Sequence, residues 1–354
     1  MERPKGFAKV IIVLTTITAA VMELLDTTIV NVALNQISGA LGETIEDIAW
    51  VITSYAIANV VIIPMTGFLG EYFGRKNYYL GSMILFGIAS YFCGMSEGLW
   101  ELVFWRFIQG IGGGALLSTS QAILFDAFEP EERPMASGFF GMGIILGPSL
   151  GPVLGGYWVD NFHWSNIFLV NIPICVIAVI LTLVYIDRKE GEGANRRNMQ
   201  IDYPGILFLM VAVGGLQFML EKGESEDWFN SKLINICAFL FVGGLVAFIY
   251  RELNTKHPVV NIRIFQNQTF AMSSIFTLVG GFGLFTSVFV YPIMVQRING
   301  LTPTETGLSL MVPTFLGVFL FPVIGRALSK GAKPLPFMVF GILIYIVFGF
   351  IGGE

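Results

Sequence analysis

The sequence predicts an all-α polytopic membrane protein. Three observations carry this: 55% of the 354 residues are apolar and only 13% charged, long apolar stretches recur along the whole chain, and basic residues alternate in density from loop to loop. Soluble domains carry about 25% charged residues, and roughly half that density cannot keep a surface of this size dispersed in water. The 41 glycines and 32 phenylalanines, with a mean hydropathy of +0.73, point the same way.

A hydrocarbon core of about 30 Å needs roughly 20 helical residues to cross it. Stretches near that length are Ala8–Leu34, Ile48–Phe68, Tyr79–Met95, Leu99–Phe125, Ala136–Trp158 and Ile167–Ile186. They continue with Gly205–Leu220, Leu233–Tyr250, Phe270–Val295, Gly307–Ile324 and Phe337–Ile351. These runs are longer than membrane strands and lack dyad alternation, so helices are expected. With the N-terminus inside, 16 of the 20 Lys and Arg fall in cytoplasmic segments. Only Lys222, Lys232 and Arg297 fall outside, and Arg106 lies within a span. Such a bias sets orientation, so a cytoplasmic N-terminus is expected.

The polar segments divide the chain into an N-terminal six-helix bundle (1–186), a cytoplasmic linker (187–203), two additional spans (204–252) and a partial C-terminal bundle of three helices (253–354). The net charge of −5 and the lack of any arginine-rich stripe argue against nucleic acid as a partner. Cys93, Cys175 and Cys237 each lie inside an apolar run and read as packed, reduced thiols. His163 and His257 stand far apart, so no metal cluster and no cofactor site is expected. The first apolar run is too long for a cleaved signal peptide.

Ionisable groups at membrane depth are costly and mark functional sites by default. In the first span these are Glu23 and Asp26, and Glu23, Thr27, Asn31 and Asn35 recur at i, i+4 as a polar stripe along one face. A water-filled cavity facing that stripe is expected, with Asp26 as the leading functional acid and Glu23 nearer solvent or serving as a second cation contact. A group that binds either a proton or a cation is the simplest coupling device for exchange. Structural bonding of Asp26 to neighbouring groups is the competing reading. Arg106 is followed one turn later by Gln109 and Gly110, and it needs an anionic or carbonyl partner, for which Asp26 or Glu23 is a candidate.

The fifth span reads GMGIILGPSLGPVLGGYW. Gly143, Gly147, Gly151 and Gly155 are four apart and form a face without side chains, which admits a second helix closely. Pro148 and Pro152 remove backbone donors. A rocking interface is expected there, with a static helix pair as the alternative. Two other motif matches fail. Gly147–Gly151 fits G-x-S-x-G, but both histidines lie in loops, leaving Ser149 without a base. Gly110–Ala115 fits G-x-G-x-x-A, but no strand precedes it. No phosphate-binding G-x-x-x-x-G-K-[ST] loop occurs either, so an enzyme or built-in ATPase is not expected.

Four segments now carry a resemblance. LDTTIVNVAL (Leu25–Leu34), GFLGEYFGRK (Gly67–Lys76), RFIQG (Arg106–Gly110) and GPSLGPVLGG (Gly147–Gly156) stand in order at the first span, the loop after the second, the fourth span and the fifth. Together they resemble the major facilitator superfamily, and more narrowly the fourteen-span drug:proton antiporter (DHA2) group with its Emr-type multidrug exporters. The resemblance implies proton coupling at Asp26 and proton transfer or cavity electrostatics at Arg106; the polar positions of the spans add Glu23 to the proton-coupling group and Thr27, Asn31 and Gln109 to an expected substrate cavity. The resemblance also implies a conformational latch of Gly67, Glu71, Gly74, Arg75 and Lys76, and an antiporter hinge of Gly143, Gly147, Pro148, Gly151, Pro152, Gly155 and Gly156.

The chain departs from the family pattern in places: Asn35 stands where proline is usual, Glu71 where aspartate is, Tyr72 where arginine is, and Ser165 and Asn166 interrupt a Trp-Arg-Trp before span six. The implied function is a proton-coupled secondary active exporter in the plasma (inner) membrane. It would move small amphipathic compounds by alternating access, with a periplasmic adaptor and an outer-membrane channel as implied partners. About 11 of the 14 expected helices are present, so a C-terminally truncated form is expected. A non-transporting fragment or assembly subunit of such an exporter is the alternative.

Overall fold

The computed structural model describes residues 6–187, 201–255, 257–298, 300 and 303–351. Most of the linker lies outside them, as do Arg3, Lys5, Arg188, Lys189, Arg196, Arg197 and Lys256 of the charge count. Among the described residues the chain is helical and has no strand. In order the helices are α1 (Phe7–Leu41), α2 (Ile45–Ile48), α3 (Trp50–Phe73), α4 (Arg75–Met95), α5 (Leu99–Ala127), α6 (Arg133–Asn161), α7 (Asn166–Leu169) and α8 (Asn171–Tyr185). Then come α9 (Tyr203–Lys222), α10 (Lys232–Asn254), α11 (Gln268–Ile298), α12 (Pro303–Ser329) and α13 (Pro334–Ile351). Each predicted apolar stretch has its helix, the sixth being split between α7 and α8 at Val170.

Chain punctuation follows local chemistry. Helix α1 stops at Gly42, whose left-handed conformation (φ 70°) lets its N–H reach the Ser38 carbonyl. Thr44 caps α2 by accepting from the Asp47 N–H at 3.1 Å. Gly74, at φ 82°, makes the turn between α3 and α4 that a side chain would strain.

Among the described residues seven helical segments, counting α2 with α3 and α7 with α8, are both long and apolar enough to cross a membrane, and shorter apolar stretches occur within α11, α12 and α13. Helix α5 is not among the seven. It carries Glu101, Arg106 and Asp126, and it keeps its polar mid-section away from lipid because α1, α3 and α4 enclose it. Glycine makes that enclosure close. A Cβ at Gly110 would lie 2.5 Å from the Tyr55 carbonyl, one at Gly114 2.6 Å from the Asn59 carbonyl, and one at Gly112 2.8 Å from the Ser82 carbonyl of α4. The glycine run that mimics a nucleotide loop is therefore a packing surface between three helices.

Helix α6 uses two faces. Gly143, Gly147, Gly151 and Gly155 meet Ile17, Leu24, Thr28 and Ile29 of α1. The second face meets α12. A Cβ at Gly138 would stand 2.5 Å from the Phe321 carbonyl, and one at Gly325 2.6 Å from the Pro134 carbonyl. The Met135 N–H donates to Ser329 Oγ at 3.1 Å, and Ser149 Oγ and Thr314 Oγ1 are 2.6 Å apart. The rocking interface expected at the Gly143–Gly155 face is thus a contact inside the first bundle. The contact with the later helices belongs to Gly138, Gly141, Ile145 and Ser149, one face round the same helix.

The α9–α10 hairpin docks on α3. Val61, Met65 and Phe68 form a cluster with Leu209, Phe248 and Val259, and Thr53 Oγ1 donates to Glu221 Oε1 at 2.5 Å. Many large side chains on the outer faces of α8 to α10, such as Val184, Phe239 and Val246, are exposed, as lipid-facing residues must be.

Gly114→Ala is expected to lower stability by about 1–3 kcal/mol, because its methyl must push α5 off α3. Gly156→Ala, which meets nothing within 4 Å, is expected to be neutral or to gain up to about 1 kcal/mol of helix propensity. Thermal unfolding of the purified variants in detergent checks the contrast, and equal losses at both positions would contradict it.

Candidate functional site

Five helices bring polar groups to one buried point. Helix α1 supplies Glu23 and Asp26, which share neighbouring faces because they are three residues apart. Helix α5 supplies Arg106 and Gln109 with the same spacing, α4 supplies Ser90, α8 supplies Asn171, and α3 supplies Tyr55, Asn59 and the Val51 carbonyl. Asp26 and Arg106 are each 1% exposed.

Arg106 Nη1 donates to Asp26 Oδ2 at 2.5 Å and to Gln109 Oε1 at 2.8 Å, and its Nε donates to the Val51 carbonyl at 3.2 Å. The other carboxylate oxygen, Asp26 Oδ1, accepts from Asn171 Nδ2 at 2.7 Å and from Gln109 Nε2 at 3.0 Å. Both amides also donate to Ser90 Oγ at 3.1 Å, and that hydroxyl donates to the Phe168 carbonyl at 2.8 Å. The guanidinium carbon lies 4.2 Å from the centroid of the Tyr55 ring and 5.7 Å from that of Phe168, within the range of cation–π attraction. A buried ion pair persists only when its remaining donors and acceptors are satisfied, and here both Asp26 oxygens are.

Glu23 is 6% exposed, so the expectation that it sits nearer solvent is corrected: it is buried, with Asn59 of α3 against it. Its Oε1 accepts from Asn59 Nδ2 at 3.0 Å, while Oε2 has no hydrogen-bond partner among the described residues. Thr27, half-buried, turns its hydroxyl back to the Glu23 carbonyl at 3.0 Å. Exposure rises along the stripe to a half-buried Asn31 and an exposed Asn35. Gln109 does not line a cavity in this conformation, because it is fully buried and both ends of its amide serve the ion pair. Ser149 donates to the Ile145 carbonyl at 2.9 Å, and its other side-chain contact is Thr314, not a histidine.

The latch residues lie at the end of the bundle that carries the start of α1. Arg75 forms an ion pair with Asp126 at the close of α5, and Lys76 Nζ donates to the Leu183 carbonyl at 3.0 Å. Gly74 makes the turn, Glu71 is exposed, and Gly67 faces open space. At the same end Lys9 pairs with Glu132 at 2.5 Å and lies 5.0 Å from the Phe128 ring. Of the hinge residues, Pro148 and Pro152 fall inside α6, the side chain of Pro152 lying outside the described set. A Cβ at Gly156 would meet nothing within 4 Å. The sequence reading missed Asn59, Ser90, Asp126 and Asn171. Their one available signal was a polar residue interrupting an apolar run, which does not say toward which helix it points.

A helical bundle with long apolar helices, exposed apolar outer faces and an internal ion pair is the architecture of an integral membrane protein. Residues 16–353 match the Major Facilitator Superfamily, and the chain belongs to that family. It is 36% identical over 322 residues to the multidrug export protein EmrB of Haemophilus influenzae, which covers 91% of this chain and 62% of the relative. It is 37% identical over 326 residues to the fatty acid resistance protein FarB of Neisseria gonorrhoeae, covering 92% and 64%. The chain thus spans less than two thirds of the length of these relatives. Among solved structures, the POT family transporter PepTSo superposes with a TM-score of 0.55 at 15% identity, covering 93% of this chain and 72% of that one. At that identity the likeness is one of fold alone.

Removing one member of the ion pair should be worse than removing both. Asp26→Asn and Arg106→Gln are each expected to cost about 3–5 kcal/mol, because each strands a buried charge. The double variant is expected to recover a large part of that loss. Unfolding midpoints of the four proteins give the cycle, and strictly additive losses would show that the two charges are not coupled.

Proposed function

We propose that the protein works as a proton-coupled exporter of small amphipathic compounds. The first six-helix bundle would rock against the later helices by alternating access, in the inner membrane and with the N-terminus in the cytoplasm. The observation that carries this reading is the acid group at the centre of α1. Asp26 and Arg106 form a neutral buried pair, and a second carboxylate, Glu23, lies one turn away with an oxygen that has no partner among the described residues. Buried ionisable groups of this kind suit proton relays and coupling sites. The similarity to proteins named as multidrug exporters supports the substrate class, and the excess of basic residues on one side supports the orientation.

The roles of the residues follow from their chemistry. Arg106 holds a fixed positive charge at membrane depth and so supplies the counter-charge of Asp26 without an external cation. Tyr55 and Asn59 link Glu23 to that pair. Thr27 and Asn31, which keep partial exposure, are the groups of the stripe that a compound entering from the open side would meet. The pairs Arg75–Asp126 and Lys9–Glu132, with the α6–α12 contact, hold one end of the bundle shut. Opening that end would require α12 to leave Gly138 and Gly141, a movement of packed helices and not of a loop.

Ethidium efflux from cells making the full-length protein tests the reading. Wild type is expected to clear the dye only while a proton gradient exists. Arg106→Ala, compared at equal membrane abundance, is expected to lower the rate at least about tenfold, the loss typical of a coupling charge worth 1.4 kcal/mol or more. Wild-type efflux that is indifferent to an uncoupler would remove proton coupling from the proposal.

A further inference from the structure

The two acids of α1 differ in how they are held, and the difference assigns them separate tasks. We infer that Glu23, through Oε2, is the group that takes up and releases the proton, while Asp26 is the permanent counter-charge of Arg106. This deepens the exporter reading above and rests on it for the transport context.

The argument begins with partners. Asp26 accepts three hydrogen bonds, from Arg106, Gln109 and Asn171, and both its oxygens are engaged. A proton arriving there would have to displace one of those donors and would leave a guanidinium buried without its anion, a costly state. Glu23 is held by one neutral donor, Asn59 Nδ2, and its Oε2 faces no donor among the described residues. A carboxylate oxygen that is buried and undonated is unfavourable while charged, whereas the neutral acid needs no compensating cation. A proton can therefore come and go at Glu23 without dismantling the network.

The surroundings offer little else that titrates. On its own helix Glu23 has Asp26 one turn away. Helix α3 contributes Tyr55, whose hydroxyl is 3.5 Å from Asn59 Nδ2, and α5 contributes Arg106 behind the Tyr55 ring. Helix α6 packs along α1 with Gly143–Gly156, a stretch without ionisable side chains. Helix α8 brings Cys175, against Met22 at 3.4 Å. Gly113 of α5 leaves the space that the Tyr55 hydroxyl occupies, since a Cβ there would collide with that oxygen, and Gly114 admits the Asn59 backbone.

The charge on Glu23 is thus one aromatic ring away from the ion pair, and a change there biases how tightly α1, α3 and α5 hold together. In the step itself an O–H bond forms at Oε2 with a proton delivered by water, and the same bond breaks when the proton returns to water on the opposite side. No electron moves and no other group is consumed.

Infrared difference spectra of the purified full-length protein, recorded between alkaline and acidic pH, test this without any ligand. The carbonyl stretch of a protonated buried carboxyl is expected in wild type. It should be lost in Glu23→Gln, shifted in position in Glu23→Asp and retained in Asp26→Asn. Should Asp26→Asn not fold, the comparison of wild type with the two Glu23 variants still decides. A band that survives Glu23→Gln, or the absence of any such band in wild type, overturns the assignment. Uncoupler-sensitive efflux by wild type together with a band that survives Glu23→Gln would reject the assignment to Glu23 and leave the exporter reading standing. Efflux indifferent to the gradient would reject that reading itself.

Discussion

A guanidinium in a medium that cannot solvate it is the constraint on which the first bundle turns. Arg106 has no water to retreat to, and a charge of that kind inside a bilayer is tolerated only when it is paired and its donors are used. The pair with Asp26 joins α1 to α5, the Val51 carbonyl brings α3, and Asn171 and Ser90 draw in α8 and α4. The polar network is satisfied only when five helices stand in one arrangement. Such networks specify a unique packing more sharply than lipid-like side chains can, since leucine packs on leucine in many registers.

Close approach is what lets those helices reach one another. Asp26, Asn171 and Ser90 are short side chains, and helices held apart by ordinary apolar residues would leave gaps between them. Glycines on α5 remove that spacing toward α3 and α4, and those on α6 remove it toward α1. In membranes, where no hydrophobic force drives helices together, small residues and interhelical hydrogen bonds supply much of the association. The same device appears again at Gly138 and Gly325, where α6 meets α12. There it joins the first bundle to the later helices, and few polar contacts accompany it. That difference suits a contact made and broken as a unit, whereas the α1–α6 face is anchored by the network beside it.

The α9–α10 hairpin illustrates a third solution. It sits outside the bundle and touches it through α3, with an apolar cluster at one level and the Thr53–Glu221 hydrogen bond near the other end. Two attachment points on one helix fix its tilt, while its outer face stays available to lipid. Its contacts bind it to the first six helices, so motion of α3 carries it along.

Much of this was already written in the chain. The number and position of the helices follow from the lengths of apolar runs, because a bilayer leaves a backbone few alternatives to satisfying its own hydrogen bonds. The importance of Glu23, Asp26 and Arg106 follows from the cost of charge at that depth. Sequence could not reveal partners: Asn59 and Asn171 are 36 and 145 residues from the acids they bond, Ser90 is 19 residues from Gln109 and 81 from Asn171, and only folding brings these groups into hydrogen-bond range. Nor could it order the two acids. Burial against α3, and the saturation of Asp26 by three donors, decided which carboxylate keeps an oxygen without a partner among the described residues. The glycine stripe of α6 likewise showed a close contact, but rotation of that helix by one face determined that α1 fills it and α12 does not.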